Sequence, residues 1–142
     1  LPNANFGPVL IPEHQGFPST IGWANDAWQD KQLDIWNSSV GPQWYIHPVD
    51  CALLHISALI RSDVNTERLF GFAEPWSYNQ MLDIWRKLYP KRKFLDNIEG
   101  MGVDRMRLPN ARAEEIISWL KGPESRRDSL EKGLHEMTEH WA

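Results

Sequence analysis

Tyr45 and His47 are the residues of this 142-residue chain whose types and spacing come closest to an acid–base pair. They stand two apart in the run Trp44-Tyr45-Ile46-His47, so an extended backbone places both side chains on one face. A phenol and an imidazole there can donate hydrogen bonds to a carbonyl or exchange protons with it. The plainer alternative is that His47 caps the following turn and Tyr45 is packed. Cys51 and His55, at i and i+4 of the next segment, have a spacing that can hold a metal. No further Cys or His completes a ligand set, and an apolar helix accounts for both, so no metal is expected. No Ser or Cys nucleophile with a nearby base is legible. Asp26 with Asp30, and Glu114 with Glu115, read as solvated helix faces rather than a paired-carboxylate site.

The elements that must position these groups follow from breakers and periodicity. Gly41 to Arg61 reads as a short strand, a turn at His47-Pro48, and an apolar helix from Cys51 to Ile60 with Asp50 as its cap. Apolar residues lie on most sides of that helix, which predicts burial all round. Upstream, an extended Leu1–Pro12 segment leads through a polar loop to a helix capped by Ser19 and running to about Lys31. Leu33 to Trp36 is expected to be a strand, forming a hairpin with Trp44–His47 around Asn37-Ser38-Ser39. Downstream, Arg68 to Phe72 is expected as a strand. Ser77 with Gln80 marks the start of a helix stopped by Pro90. Asn110 caps a helix closed by Gly122-Pro123, and a last helix carries Leu130, Leu134, Met137 and Trp141 along one stripe. Alternating short strands and about five helices predict an α/β (α+β) layered fold in one domain, residues 1–142. So small a sheet leaves edges that a partner subunit would cover, so an oligomer is expected.

Composition narrows the partners. The net charge is −4, and the only basic run, Lys91-Arg92-Lys93, is expected in a solvated turn, so nucleic acid is not an expected ligand. No apolar stretch approaches the roughly 20 residues that span a bilayer. A single cysteine, Cys51, excludes an internal disulfide and is compatible with the cytoplasm. Tryptophan is unusually abundant, with eight residues. Trp85, Trp119 and Trp141 lie on helical apolar stripes and are expected in the core.

Four stretches occur in a telling order: PNANFGP, WYIHPVDCALLHISALI, RLFGFAEPWSYNQMLDIWRKLYP, and RAEEIISWL followed by SLEKGLHEM. Together they resemble the C-terminal, substrate-binding half of the extended short-chain dehydrogenase/reductases. This is the NAD-dependent epimerase/dehydratase group, and the nearest flavour is its fungal reductase-like members. The resemblance implies a truncated Rossmann-like substrate lobe. The family's Gly-rich dinucleotide turn and Tyr-x-x-x-Lys pair do not occur in this sequence. Where the family has His-Val-Asp-Asp, this chain has His47-Pro48-Val49-Asp50. The resemblance further implies that Trp44 takes a substrate-contacting position and that Trp23 and Trp28 border the pocket. It implies a structural use of His47 and places Asn5 and Phe6 near nicotinamide and substrate.

Two readings of function follow. In the leading one, a free-standing oligomer binds an apolar small molecule in a pocket of Trp23, Trp28, Trp44 and Trp76, edged by Asn5 and Phe6. Tyr45 or His47 then polarises a carbonyl in a cofactor-independent cyclisation, isomerisation or elimination of secondary metabolism. This reading is preferred because a doubly wound domain cut after its catalytic helix would expose the faces that packed on its sheet. In the alternative, the chain is the substrate-binding fragment of an NAD(P)-dependent reductase or epimerase. A non-catalytic binding module is the third possibility.

Overall fold

The run Gln43–Ile46 becomes the middle strand of a three-stranded sheet. The computed structural model describes residues 2, 4–31, 34 and 40–141. Strand β1 is Ala4–Asn5, β2 is Gln43–Ile46 and β3 is Glu74–Trp76, in the order β1-β2-β3. β1 runs parallel to β2, with Ala4 opposite Tyr45 and Asn5 opposite Ile46. β3 runs antiparallel, with Gln43 opposite Trp76 and Tyr45 opposite Glu74. The expected strand Leu33–Trp36 and its hairpin lie outside the described residues, and both edges of β2 are taken by β1 and β3.

β3 corrects the strand expected at Arg68–Phe72. Phe72 N–H donates to the Phe70 carbonyl at 2.9 Å, a tight reversal that prevents extended pairing there. The ladder begins where Ala73 N–H donates to the Tyr45 carbonyl at 2.7 Å. Glu74-Pro75-Trp76 is therefore strand, and Pro75, which has no N–H, is tolerated because β3 is an edge.

Six helices lie among the described residues: α1 (Pro12–Gln15), α2 (Thr20–Trp28), α3 (Pro48–Ile60), α4 (Tyr78–Leu88), α5 (Ala111–Lys121) and α6 (Leu130–Thr138). α1 is a single turn where a loop was expected. Ser77 caps α4 by accepting from Gln80 N–H at 3.3 Å, as its spacing predicts. Three cap expectations are corrected. Ser19 has φ 51° and makes no side-chain cap bond. Asn110 donates instead to the Phe72 carbonyl at 2.9 Å, tying α5 to the approach to β3. Asp50 lies inside the first turn of α3, whose N-cap is His47 with Pro48 at the first helical position.

Strand alternation divides the core. Tyr45 and Trp76 point into the larger cluster with Phe6, Trp28, Trp85 and Leu134, while Ile46 points the other way, towards Leu54, Ala113, Ile116 and Ile117. Trp28 sits edge-on to Trp85 at 5.3 Å and to Tyr89 at 5.0 Å between ring centroids. α6 reaches the sheet because Gly133 lets its backbone press against the Tyr45 hydroxyl and the Phe6 carbonyl. Trp119 departs from the core expectation: it is 52% exposed, with the Arg61 guanidinium 5.1 Å from its ring centroid.

α3 is buried on one side only. Asp50, Leu54 and Ser57 face inward, whereas Val49, Ala52, Ile56, Leu59 and Ile60 form an exposed apolar stripe at helical spacing, with Leu59 85% exposed. An uncovered stripe of this kind promotes association. Glutamate at positions 56 and 59 should keep the isolated chain monomeric where the parent self-associates. Sedimentation velocity checks this; equal association of both proteins would remove the stripe as the cause.

Candidate functional site

Tyr45 and His47 do share a face, and that face is covered by α6 and the segment before it. Tyr45 is fully buried, and its hydroxyl donates to the Ser129 carbonyl at 3.2 Å. Burial drives the phenol far above its ordinary pKa, and the carboxylates of Asp50, Asp128, Glu74 and Glu136 add to the shift. The phenol is therefore held as a hydrogen-bond donor and cannot serve as a base near neutral pH.

His47 is 1% exposed. Its Nδ1 accepts from Val49 N–H at 3.2 Å, so this nitrogen acts as the helix cap. That assignment leaves Nε2 as the donor, and it meets Glu136 Oε2 at 2.9 Å. The edge of the same ring lies close to Gly7, where an added Cβ would stand 3.1 Å from Nε2 and 2.7 Å from Pro48 Cδ. Pro48 thus sets the close approach of the Asn5–Pro8 segment as well as the start of α3.

Beside His47 lies an ionic network that sequence spacing only half reveals. Asp50 is fully buried and accepts from Lys121 Nζ at 2.9 Å and from Asp128 N–H at 2.6 Å. Lys121 also reaches Asp128 at 3.0 Å. Lys132 bonds Asp128 at 2.9 Å and Glu136 at 3.1 Å, both at i,i+4 spacing on α6. Those two pairs were readable along the chain. The links from α6 to His47 and from α5 to Asp50 span 89 and 71 residues and leave no local signal.

Burial raises the carboxyls of Asp128 and Glu136. Bonds from Lys132 to both, from Lys121 to Asp128 and from His47 to Glu136 outweigh it, so both end below their ordinary values. Lys121 and Lys132 are lowered by burial and raised more by the same bonds. A depressed carboxyl stabilises the fold above its unfolded pKa, roughly 4, and loses that contribution as pH falls through the lower folded value. The urea midpoint should therefore hold near neutral pH and fall below about pH 4. Replacing Lys132 with Met should flatten that acid limb; an unchanged limb would exclude this network as its source.

The expected tryptophan pocket is not assembled. Trp28 and Trp76 are buried within the larger core and Trp23 packs partly exposed against it. Trp44 projects from the opposite face of the sheet and meets Phe72 edge-on at 6.3 Å. The sheet separates it from the others. Phe6 is fully buried, edge-on to Trp76 at 4.9 Å, and Asn5 is half-buried, its amide donating to the Pro2 carbonyl at 3.2 Å. The indole N–H of Trp44 is buried with no hydrogen-bond partner among the described residues. His55 Nδ1 lies 2.8 Å from the Cys51 carbonyl, turned back on its own helix. No group of three potential metal ligands occurs among the described residues, and no described helix is long and apolar enough to cross a membrane.

What the site does in its own right is mechanical. Tyr45, His47 and the Asp50 network lock three sequence-distant segments together: the end of β1, the start of α3, and α6.

Comparison with known proteins fits that arrangement. No family model matches the chain. It is 30% identical over 144 residues to aldehyde reductase 2 of Sporidiobolus salmonicolor, covering 96% of this chain and 39% of that protein. It is 30% identical over 108 residues to an NAD-dependent epimerase/dehydratase of Aspergillus terreus, covering 76% of this chain and 31% of that protein. Among solved structures, Gre2 of Candida albicans in complex with NADPH superposes with a TM-score of 0.72 at 16% identity, over 96% of this chain and 40% of that one. The chain thus spans about two fifths of the length of the relatives that match it best along its own length. In sequence and in fold, it resembles the C-terminal, substrate-side part of the extended short-chain dehydrogenase/reductases, the NAD-dependent epimerase/dehydratase group.

Proposed function

We propose that these 142 residues are the substrate-side part of an NAD(P)-dependent carbonyl reductase. The observation that supports this most is 30% identity to an aldehyde reductase along 96% of the chain. Two structural features agree with it. β1 is paired on one edge only among the described residues, and α3 carries an uncovered apolar stripe beside the same sheet. Both are surfaces on which further α/β structure can pack.

The dinucleotide itself has no seat within these residues. The sequence holds no Gly-rich phosphate turn, and Phe6 and Gly7, at the end of β1, are closed over by Trp76, His47 and Pro48. Groups outside this chain segment would have to hold it. In this reading Tyr45 and His47 are positioning residues, which keep the Asn5–Pro8 segment in place. Asn5 and Trp44 retain the exposed surface needed for substrate contact, and Phe6, Trp28 and Trp76 back the segment from the core. A cofactor-independent reaction at Tyr45 and His47 has less support, because both groups are buried and bonded to protein atoms.

The test is a chimera in which this chain replaces the matched portion of the Sporidiobolus salmonicolor enzyme. Saturable NADPH oxidation with aldehyde substrates is expected. A folded chimera that binds NADPH but turns over no carbonyl compound would overturn the proposal.

A further inference from the structure

Lys91-Arg92-Lys93, the only basic run of an acidic chain, is not a loose turn. Arg92 folds back over α2, its guanidinium carbon 4.3 Å from the Trp28 ring centroid and 5.6 Å from that of Phe94. The same guanidinium donates to the Trp28 carbonyl. These contacts fix a cation at the mouth of a cavity of about 550 Å³ walled by Trp28, Leu88, Tyr89, Pro90, Lys91 and Arg92. That volume is within the range of small-molecule sites. The Tyr89 hydroxyl is engaged by Thr138 Oγ1 at 2.9 Å, so what Tyr89 has left to offer is chiefly apolar. Neither Lys91 nor Arg92 makes an ion pair among the described residues.

We propose that this cavity binds a planar aromatic or unsaturated acyl monocarboxylate. The wall suits a flat apolar body, for which stacking and edge contacts with Trp28 and Tyr89 are available. A neutral body would leave two cations without a counter-charge, and a bare inorganic anion would leave the wall unused. The C-terminal end of α4 weakly disfavours an anion, so Arg92 and Lys91 must supply the attraction. This site is independent of the reductase reading.

The probe is 2-naphthoate titrated into the ¹⁵N-labelled chain, with 2-naphthol and inorganic phosphate as controls. Saturable shifts are expected at the Trp28 indole and at the amides of Leu88, Tyr89, Lys91 and Arg92. Binding should be about tenfold weaker for each control and for Arg92→Gln, and a few-fold weaker for Lys91→Gln. Lys91 is exposed, so its variant keeps the experiment decisive even where Arg92→Gln loosens α2. Equal binding of 2-naphthol, shifts centred elsewhere, no saturable shift, or indifference to both substitutions would overturn the proposal.

Discussion

Gly133→Ala should abolish the native fold or cost about 3 kcal/mol or more, at the upper end of overpacking effects. The added methyl would collide with the Tyr45 hydroxyl, lie 2.5 Å from the Phe6 carbonyl and 3.0 Å from Tyr45 Cζ. Alanine is ordinarily the better helix former, by about 1 kcal/mol, so propensity alone predicts the opposite sign. Backbone carbonyl and phenol are both held by neighbours, and neither can retreat cheaply. Thermal unfolding followed by circular dichroism measures the effect. Adding Tyr45→Phe should restore part of the loss, because it removes the hydroxyl but leaves the Phe6 carbonyl in the way. Gly133→Ala at wild-type stability would mean that α6 does not approach β1 and β2 this closely.

Asp50→Ala should cost about 3–5 kcal/mol, the range for breaking a buried ion pair from one side. It strands the ammonium of Lys121, only 20% exposed, and the N–H of Asp128. Asp50→Asn should lose less, since its carbonyl oxygen can still accept from Asp128. The double variant Asp50→Ala, Lys121→Met should recover stability relative to Asp50→Ala, because no uncompensated charge then remains. Urea titrations of the three proteins form the comparison. Strict additivity would show that Asp50 and Lys121 do not act on each other.

Both effects arise where sequence reasoning was weakest. Asp50 read as a cap because a carboxylate after proline and before an apolar run is a common helix start. The helix in fact begins two residues earlier, since Pro48 needs no N–H partner and the His47 ring accepts from Val49. Once capping was done by histidine, the carboxylate was free for a partner 71 residues away. Similarly, Trp76 read as a turn residue beside proline, and only pairing with Gln43 made it part of an edge strand. The four helices α2, α4, α5 and α6 were legible to within a few residues because their apolar spacing repeats locally. Trp85, Ile116, Leu134 and Met137 all lie where that spacing puts them.

The chain by itself determined its helices, the extended Tyr45–His47 face, the division into a mixed α/β layer and the family likeness. Those depend on spacing between near neighbours and on the order of motifs. Tertiary structure alone decided which tryptophans meet, that Trp44 stands across the sheet from Trp28 and Trp76, and that one side of α3 stays uncovered. It also decided what Tyr45 and His47 do. A phenol and an imidazole on one face are reactive when water reaches them and structural when α6 covers them. Coverage is set by contacts between segments more than 80 residues apart, and a strand's own residues carry no record of them.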